Sequence, residues 1–121
     1  MKTTFSTAYL ECALWSSNDE SNEQGGNPMD ANYDESDLSD ECREQMEKDC
    51  AEFQESNREL LEASGQSDEQ SGHDFWLTRC GHGAGFWDRG LGDIGRKLTD
   101  ACKPYGNVDL YIGDDGKIYS I

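Results

Sequence analysis

The sequence has no run of 18 apolar residues, and so no candidate membrane-spanning helix. Basic residues are scarce: ten Lys and Arg stand against 26 Asp and Glu, for a net charge of -16 and a pI near 4.2. Such a chain repels nucleic acid and anionic membranes and favours partners with a basic surface. Apolar residues make up only 34%, and mean hydropathy is -0.90. No C-x-x-C or H-E-x-x-H is present, so neither common metal signature applies, and neither a metal nor a cofactor is expected. No Gly-Lys-Ser/Thr follows the glycine-rich stretch 81–85, which excludes a P-loop. The start, Met1-Lys2-Thr3-Thr4-Phe5, lacks an apolar leader, and a cytoplasmic protein is expected.

What is present suffices for one folded domain. The 121 residues include three Trp, five Tyr and four Phe, enough for a single modest core. Cys12, Cys42, Cys50, Cys80 and Cys102 are odd in number and irregularly spaced. They read as reduced thiols that act as small core hydrophobes.

The charge is concentrated. Residues 1–72 hold 19 acidic and four basic side chains, a net of -15, whereas residues 73–121 hold seven and six, a net of -1. Solubility alone needs no such asymmetry, so an acidic helical part, 1–72, is distinguished from an α+β scaffold, 73–121, within one domain.

Along the chain, Phe5, Tyr9, Cys12 or Ala13, and Leu14 or Trp15 predict a helix over 4–16. Residues 17–36, with Gly25-Gly26-Asn27-Pro28 and no basic side chain, read as a mobile loop whose end Tyr33 pins. A long helix is expected over 37–63. Its apolar stripe is Leu38, Cys42, Met46, Cys50, Phe53, Leu60 and Leu61, interrupted at Asn57, and Asp49 is counted with its acidic surface. The stripe could serve a homodimer as well as a core. After a connector over 64–72, residues 74–79 and 86–88 read as aromatic strands of a tight hairpin, with Trp76 and Trp87 in the core. Leu91, Ile94, Leu98 and Ala101 or Cys102 predict a helix over 91–103. Val108–Ile112 and Lys117–Ile121 flank the turn Gly113-Asp114-Asp115-Gly116 as a hairpin. The expected fold is α+β, a small antiparallel β-sheet with a C-terminal hairpin, packed by about three helices, one long and acidic.

Two constellations could carry function. Carboxylates three or four residues apart on a helix lie about 4.5–6 Å apart along its axis, and a DNA strand places a charge every ~3.4 Å of axis. A row of Glu41, Glu44, Glu52, Glu55, Glu59 and Glu62, widened by Asp40 and Glu47, could therefore occupy alternate phosphate pockets of a DNA-binding protein. The plainer alternative is a solvated helix face. The second constellation is 72–90, which holds His73, Asp74, Cys80, His82 and Asp88. An enzyme could use His82 or His73 as a base oriented by Asp88 or Asp74, with Cys80 as nucleophile. The same His73, Cys80, His82 and Asp88 are the available metal ligands. The structural alternative is a hairpin whose glycines let aromatic rings crowd the chain.

The stretch from His73 to Arg89, together with Val108–Tyr119, resembles small acidic proteins of bacteriophages and plasmids. The resemblance implies a mobile element acting inside a bacterium and transfers no catalytic role. In charge and size the chain is also similar to the acidic DNA mimics of such elements, which act against restriction, CRISPR, repair and nucleoid proteins. The expected function is therefore an inhibitor that binds a basic DNA-binding protein of the host, with no direct contact to nucleic acid. The rivals are an adaptor recognised through the hairpin edge, contact through the glycine-rich loop, and a small hydrolase or transferase using His82.

Overall fold

A computed structural model describes residues 4–19, 27–29, 33–81 and 85–120. The fold is mostly helical, with a small antiparallel hairpin near residue 120, an α+β arrangement. In chain order come α1 (Thr4–Ser16), β1 (Asn18–Asp19), β2 (Asn27–Pro28), a 3-10 turn (Glu35–Asp37), α2 (Asp40–Ser56) and α3 (Arg58–Ser64). Then follow α4 (Asp68–Arg79), a 3-10 turn (Phe86–Asp88), α5 (Asp93–Cys102), a 3-10 turn (Lys103–Tyr105), β3 (Leu110–Ile112) and β4 (Ile118–Ser120).

The largest departure from expectation is α4, which takes the place of the end of the expected connector over 64–72 and of the expected strand over 74–79. Ser67 caps it, its hydroxyl accepting from Gln70 N at 3.1 Å, and Asp68 and Glu69 complement the dipole of the first turn. The helix lies at the centre of the molecule. Ser71, Gly72, Asp74, Phe75, Trp76, Leu77 and Arg79 are all buried. A helix enclosed on so many sides shows no 3.6-residue alternation, so its short aromatic run imitates a buried strand. Residues 86–88 likewise form a helical turn, not a returning strand. Trp87 is 54% exposed, outside the core where it was expected, while Trp76 is 1% exposed.

α1 packs along α4. Gly72 makes the approach possible: a Cβ there would overlap the Phe5 carbonyl oxygen and press on the Ala8 methyl. Gly72→Ala is expected to force the two helices apart and lower stability by about 1–3 kcal/mol. Urea denaturation measures this, and an unchanged midpoint would contradict the close contact. Around this pair the aromatic core assembles. Phe53 of α2 stacks on Phe75 with centroids 4.1 Å apart, and Tyr9 meets Trp76 edge-on at 5.4 Å. On α1 Leu14 takes the inward position, while Trp15 stands 62% exposed.

The expected long helix is broken at Asn57. Its backbone N–H and its side-chain amide both donate to the Phe53 carbonyl, at 3.0 and 2.9 Å, which closes α2. α3 starts again at Arg58 and ends at Gly65, whose φ of 70° is the left-handed conformation of a helix stop. Leu38, Met46 and Phe53, which could have served a dimer, are buried within the chain, and Leu60 and Leu61 are half-buried.

The hairpin pairs Tyr111 with Tyr119 and Ile112 with Ile118 around the expected turn. Gly113 N donates to Lys117 O at 2.8 Å, Asp115 accepts from Lys117 N, and Gly116 adopts φ 79°. β4 also reaches the start of α2. Leu38 bridges Ile118 in parallel, and Ser39 N donates to Ile118 O at 2.9 Å. A short β1–β2 pair lies within the expected loop 17–36, where Tyr33 N donates to Met29 O and the Tyr33 ring packs on the core. Of that expected loop, 20–26 and 30–32 lie outside the described residues, as does Ile121.

Candidate functional site

α2 begins where Ser39 Oγ accepts from Cys42 N at 3.1 Å, with Asp40 and Glu41 in the first turn. At about 100° per residue, Cys42, Met46, Asp49, Cys50 and Phe53 fall on one side, and all five are buried. Asp40, Glu44, Glu47 and Glu55 fall opposite them, and Glu41 and Glu52 flank this arc. All six are exposed except Glu47, which is half-buried. The helix is 17 residues long, about 25 Å. Its carboxylates at 44, 47, 52 and 55 follow one another at about 4.5, 7.5 and 4.5 Å along the axis. Glu59 and Glu62 are exposed too, but they belong to α3, beyond the break at Asn57. The expected row is thus divided between two helices. Glu55 and Glu62 line a common cleft of about 550 Å³ with Arg58 and Gln66.

Three basic side chains, Arg43, Lys48 and Arg58, lie on α2 and α3, and Lys48 is exposed four residues from both Glu44 and Glu52. Arg58 Nη2 sits 2.6 Å from Glu55, but both side chains are well exposed, so the pair contributes little and exchanges easily. Arg43 is turned away, donating to the Glu35 carbonyl at 2.6 Å.

Asp49 does not belong to the acidic surface. Its carboxylate accepts from Arg79 Nη1 at 2.8 Å, with the arginine side chain only 4% exposed. Arg79 also donates to Tyr9 Oη, Tyr105 O and Gly106 O at 2.8–3.1 Å, and lies over the rings of Phe75 and Tyr105. One guanidinium thereby ties α1, α2, α4 and the turn after α5. Burial pushes the Tyr9 hydroxyl far above its ordinary range, which keeps it a neutral partner for Arg79.

Among the described residues of 72–90, Asp74 and Thr78 of α4 hold the turn at 86–89. Asp74 is fully buried and accepts from Gln66, Gln70 and both Nε and Nη2 of Arg89, all between 2.8 and 3.3 Å. Arg89 in turn is held protonated by Asp74. Thr78 Oγ1 accepts from Phe86 N at 3.1 Å, and Gly85, at φ 155°, has no room for a Cβ beside that hydroxyl. Asp74 is thus committed to Arg89 and the two glutamines. Asp88 is exposed, His73 is half-buried, and the Cys80 thiol donates to Val108 O at 3.7 Å. Burial raises the Cys80 pKa and so disfavours the thiolate. His82 lies outside the described residues. Among the described residues no three His, Cys, Asp or Glu side chains converge as a metal site would require.

The other thiols are buried and free. Burial pushes Cys12 and Cys102 up to about 12, and raises Cys42 and Cys50 as well, from an ordinary 9.0. Below pH 9 the folded and unfolded chains both hold these protons, and their stabilisation is whole. Above it the unfolded chain ionises first, so stability falls as pH rises, by up to about 1.4 kcal/mol per pH unit for each thiol. The loss continues until the folded thiols ionise near 12. Guanidinium midpoints are expected to drop steeply between about pH 9 and 11, with thiolate absorbance appearing only as the chain unfolds. Thiolate absorbance that precedes unfolding would contradict the burial.

Among the described residues no helix is long and apolar enough to cross a membrane. Comparison with known proteins finds no family model, no curated protein and no solved structure that matches this chain.

Proposed function

We propose that this chain is an acidic DNA mimic that binds a basic DNA-binding protein of a bacterial host and keeps DNA out of its cleft. The observation that carries the reading is the outer arc of α2. Asp40, Glu41, Glu44, Glu52 and Glu55 are exposed there and Glu47 is half-buried, on the side opposite the core, at spacings of the order of alternate phosphates. Glu59 and Glu62 extend the negative surface onto α3, beyond the helix break at Asn57. The acidic residues need no partner within the fold, since the core and the Arg79 and Asp74 networks are complete without them. In this reading the protein is not an enzyme and contacts no nucleic acid. It works in the cytoplasm of a bacterium carrying a phage or plasmid, in keeping with the resemblance of 73–89 and 108–119. Restriction, CRISPR, repair and nucleoid proteins are the partner class.

The test is affinity capture of the tagged protein from bacterial lysate at low and high salt, with mass spectrometry of what is retained. One DNA-binding protein, lost at high salt and displaced by duplex DNA, is the expected result. A salt-resistant partner with no link to DNA would replace the mimic by an adaptor reading. The edge of β3, where Tyr111 is 44% exposed, is the surface that reading would use.

A further inference from the structure

The hairpin has one open edge. Gly113 N donates to Lys117 O, so 113 and 117 are a hydrogen-bonded pair, and the alternation of an antiparallel ladder makes 111 and 119 the next such pair. The backbone N–H and C=O of Tyr111 therefore point at β4, and those of Leu110 and Ile112 point away from it. On β4 the corresponding outward group is used: Ile118 O accepts from Ser39 N at 2.9 Å, and Leu38 bridges Ile118. On β3 it is not. Among the described residues β4 is the only strand beside β3, and the outward groups of Leu110 and Ile112 have no hydrogen-bond partner.

The side chains of this edge are sorted by face. Leu110 and Ile112 turn toward the core and are half-buried. Tyr111 turns the other way, 44% exposed, with its ring stacked on Tyr119 at a centroid distance of 5.7 Å. Tyr119 is itself fixed, its hydroxyl donating to Asp115 Oδ2 at 2.6 Å. From 110 to 113 the edge carries no charge and no proline, the usual devices that discourage pairing.

We propose that the β3 edge pairs with the β3 edge of a second copy of this chain, antiparallel, about a two-fold axis at Tyr111. The edge is self-complementary in that register. Leu110 of each copy falls opposite Ile112 of the other, and these are the residues whose outward groups are free to exchange both backbone bonds. Tyr111 meets Tyr111 as the closer, non-hydrogen-bonded kind of pair, which extends the Tyr111–Tyr119 stack through the interface. Asp109 falls opposite Gly113, so no like charges face each other. The distribution of charge selects this edge for self-association. Residues 73–121 carry a net of -1 against -15 for 1–72, and copies meeting through the acidic part would repel. In the joined sheet each β4 lies outside its β3, with Leu38 and the start of α2 beyond it. At the ordinary spacing of neighbouring strands the two α2 starts stand about 24 Å apart, roughly three Debye lengths at physiological salt. The inference does not rest on the α2 face binding a basic protein.

Sedimentation equilibrium of the full chain over a range of concentrations, at low and high salt, tests the association. A reversible monomer–dimer equilibrium that tightens with salt is expected, since salt screens the repulsion between copies of net charge -16. Tyr111→Lys is expected to weaken dimerisation by about 3- to 50-fold, through loss of the ring pair and like charges set directly opposite. The same change makes the chain less negative and would strengthen an association limited by repulsion alone, so tighter dimerisation of Tyr111→Lys overturns the register. Cross-linking reads the register independently of that variant. With diamide as the oxidant, which takes up the hydrogens lost as two thiols join, Tyr111→Cys is expected to form a disulfide-linked dimer. A non-hydrogen-bonded pair has the Cα separation of a disulfide. Asp109→Cys, whose two copies stand about 14 Å apart along the strands, is expected to stay unlinked, as is the parent chain with its half-buried Cys80. Equal linkage of the two variants would overturn the proposal. So would a chain that stays monomeric at every concentration and salt, which would leave the edge to the strand of another protein.

Discussion

Arg79→Met is expected to lower the free energy of unfolding by about 3–5 kcal/mol, the range for breaking a buried ion pair on one side. The reason is what remains behind. The Asp49 carboxylate, whose side chain is only 12% exposed, loses its guanidinium partner and retains the Gln45 amide as donor, and Tyr9 Oη, Tyr105 O and Gly106 O all lose a donor. Methionine replaces much of the volume but none of the donors. The double change with Asp49→Leu is expected to cost less than the sum of the single changes, because it removes the stranded carboxylate, with a coupling of about 1–3 kcal/mol. Asp49→Leu alone leaves the guanidinium with its two carbonyl acceptors and Tyr9, so it should be the milder single variant. Equilibrium denaturation of the three variants measures the cycle. Additive effects would mean that Asp49 and Arg79 do not act as a pair.

The second expected result couples stability and binding with opposite signs. Changing Glu44, Glu47 and Glu55 to Lys should abolish capture of the basic partner, since steering by a complementary field contributes about 10- to 1000-fold to association rates. The same change should raise the melting temperature at low salt. It relieves repulsion in a chain of net charge -16 and touches no buried group. The gain in melting temperature should shrink as salt is added, because the repulsion it relieves is screened. A stable variant that no longer binds separates a functional face from a structural one. Retained partner binding would refute the α2 face as the contact surface.

Much of this fold was legible in the residues. The hairpin was marked by its Gly-Asp-Asp-Gly turn between alternating strands, α1 by its inward aromatic spacing, and α5 by the single face of Leu98 and Cys102. The misreading of α4 has an identifiable cause. Burial on nearly every side removed the periodicity, and the remaining signal was a capping one: Ser67 three residues before Gln70, with Asp68 and Glu69 between, is a helix start. Asn57 was visible as an interruption of the stripe. That it ends one helix depends on its amide reaching back to Phe53 O, a bond that sequence spacing does not specify. The exposed members of the acidic row were legible because amphipathic periodicity sorts them. Asp49 was not, since its removal from the surface depends on Arg79, 30 residues away.

The hydrogen bond from Ser39 N to Ile118 O sets an order in time. Ribosomes deliver about 5–20 residues per second, so α2 emerges several seconds before the strand that seats its first turn. During that interval α2 can form as a local helix, but Leu38 has no strand to bridge and β4 does not yet exist. The acidic face is therefore exposed to the cell before its anchoring is complete. The bond that seats the first turn of α2 can form only once residues 118–120 have been made, and it is one of the most distant pairings in sequence in this small domain.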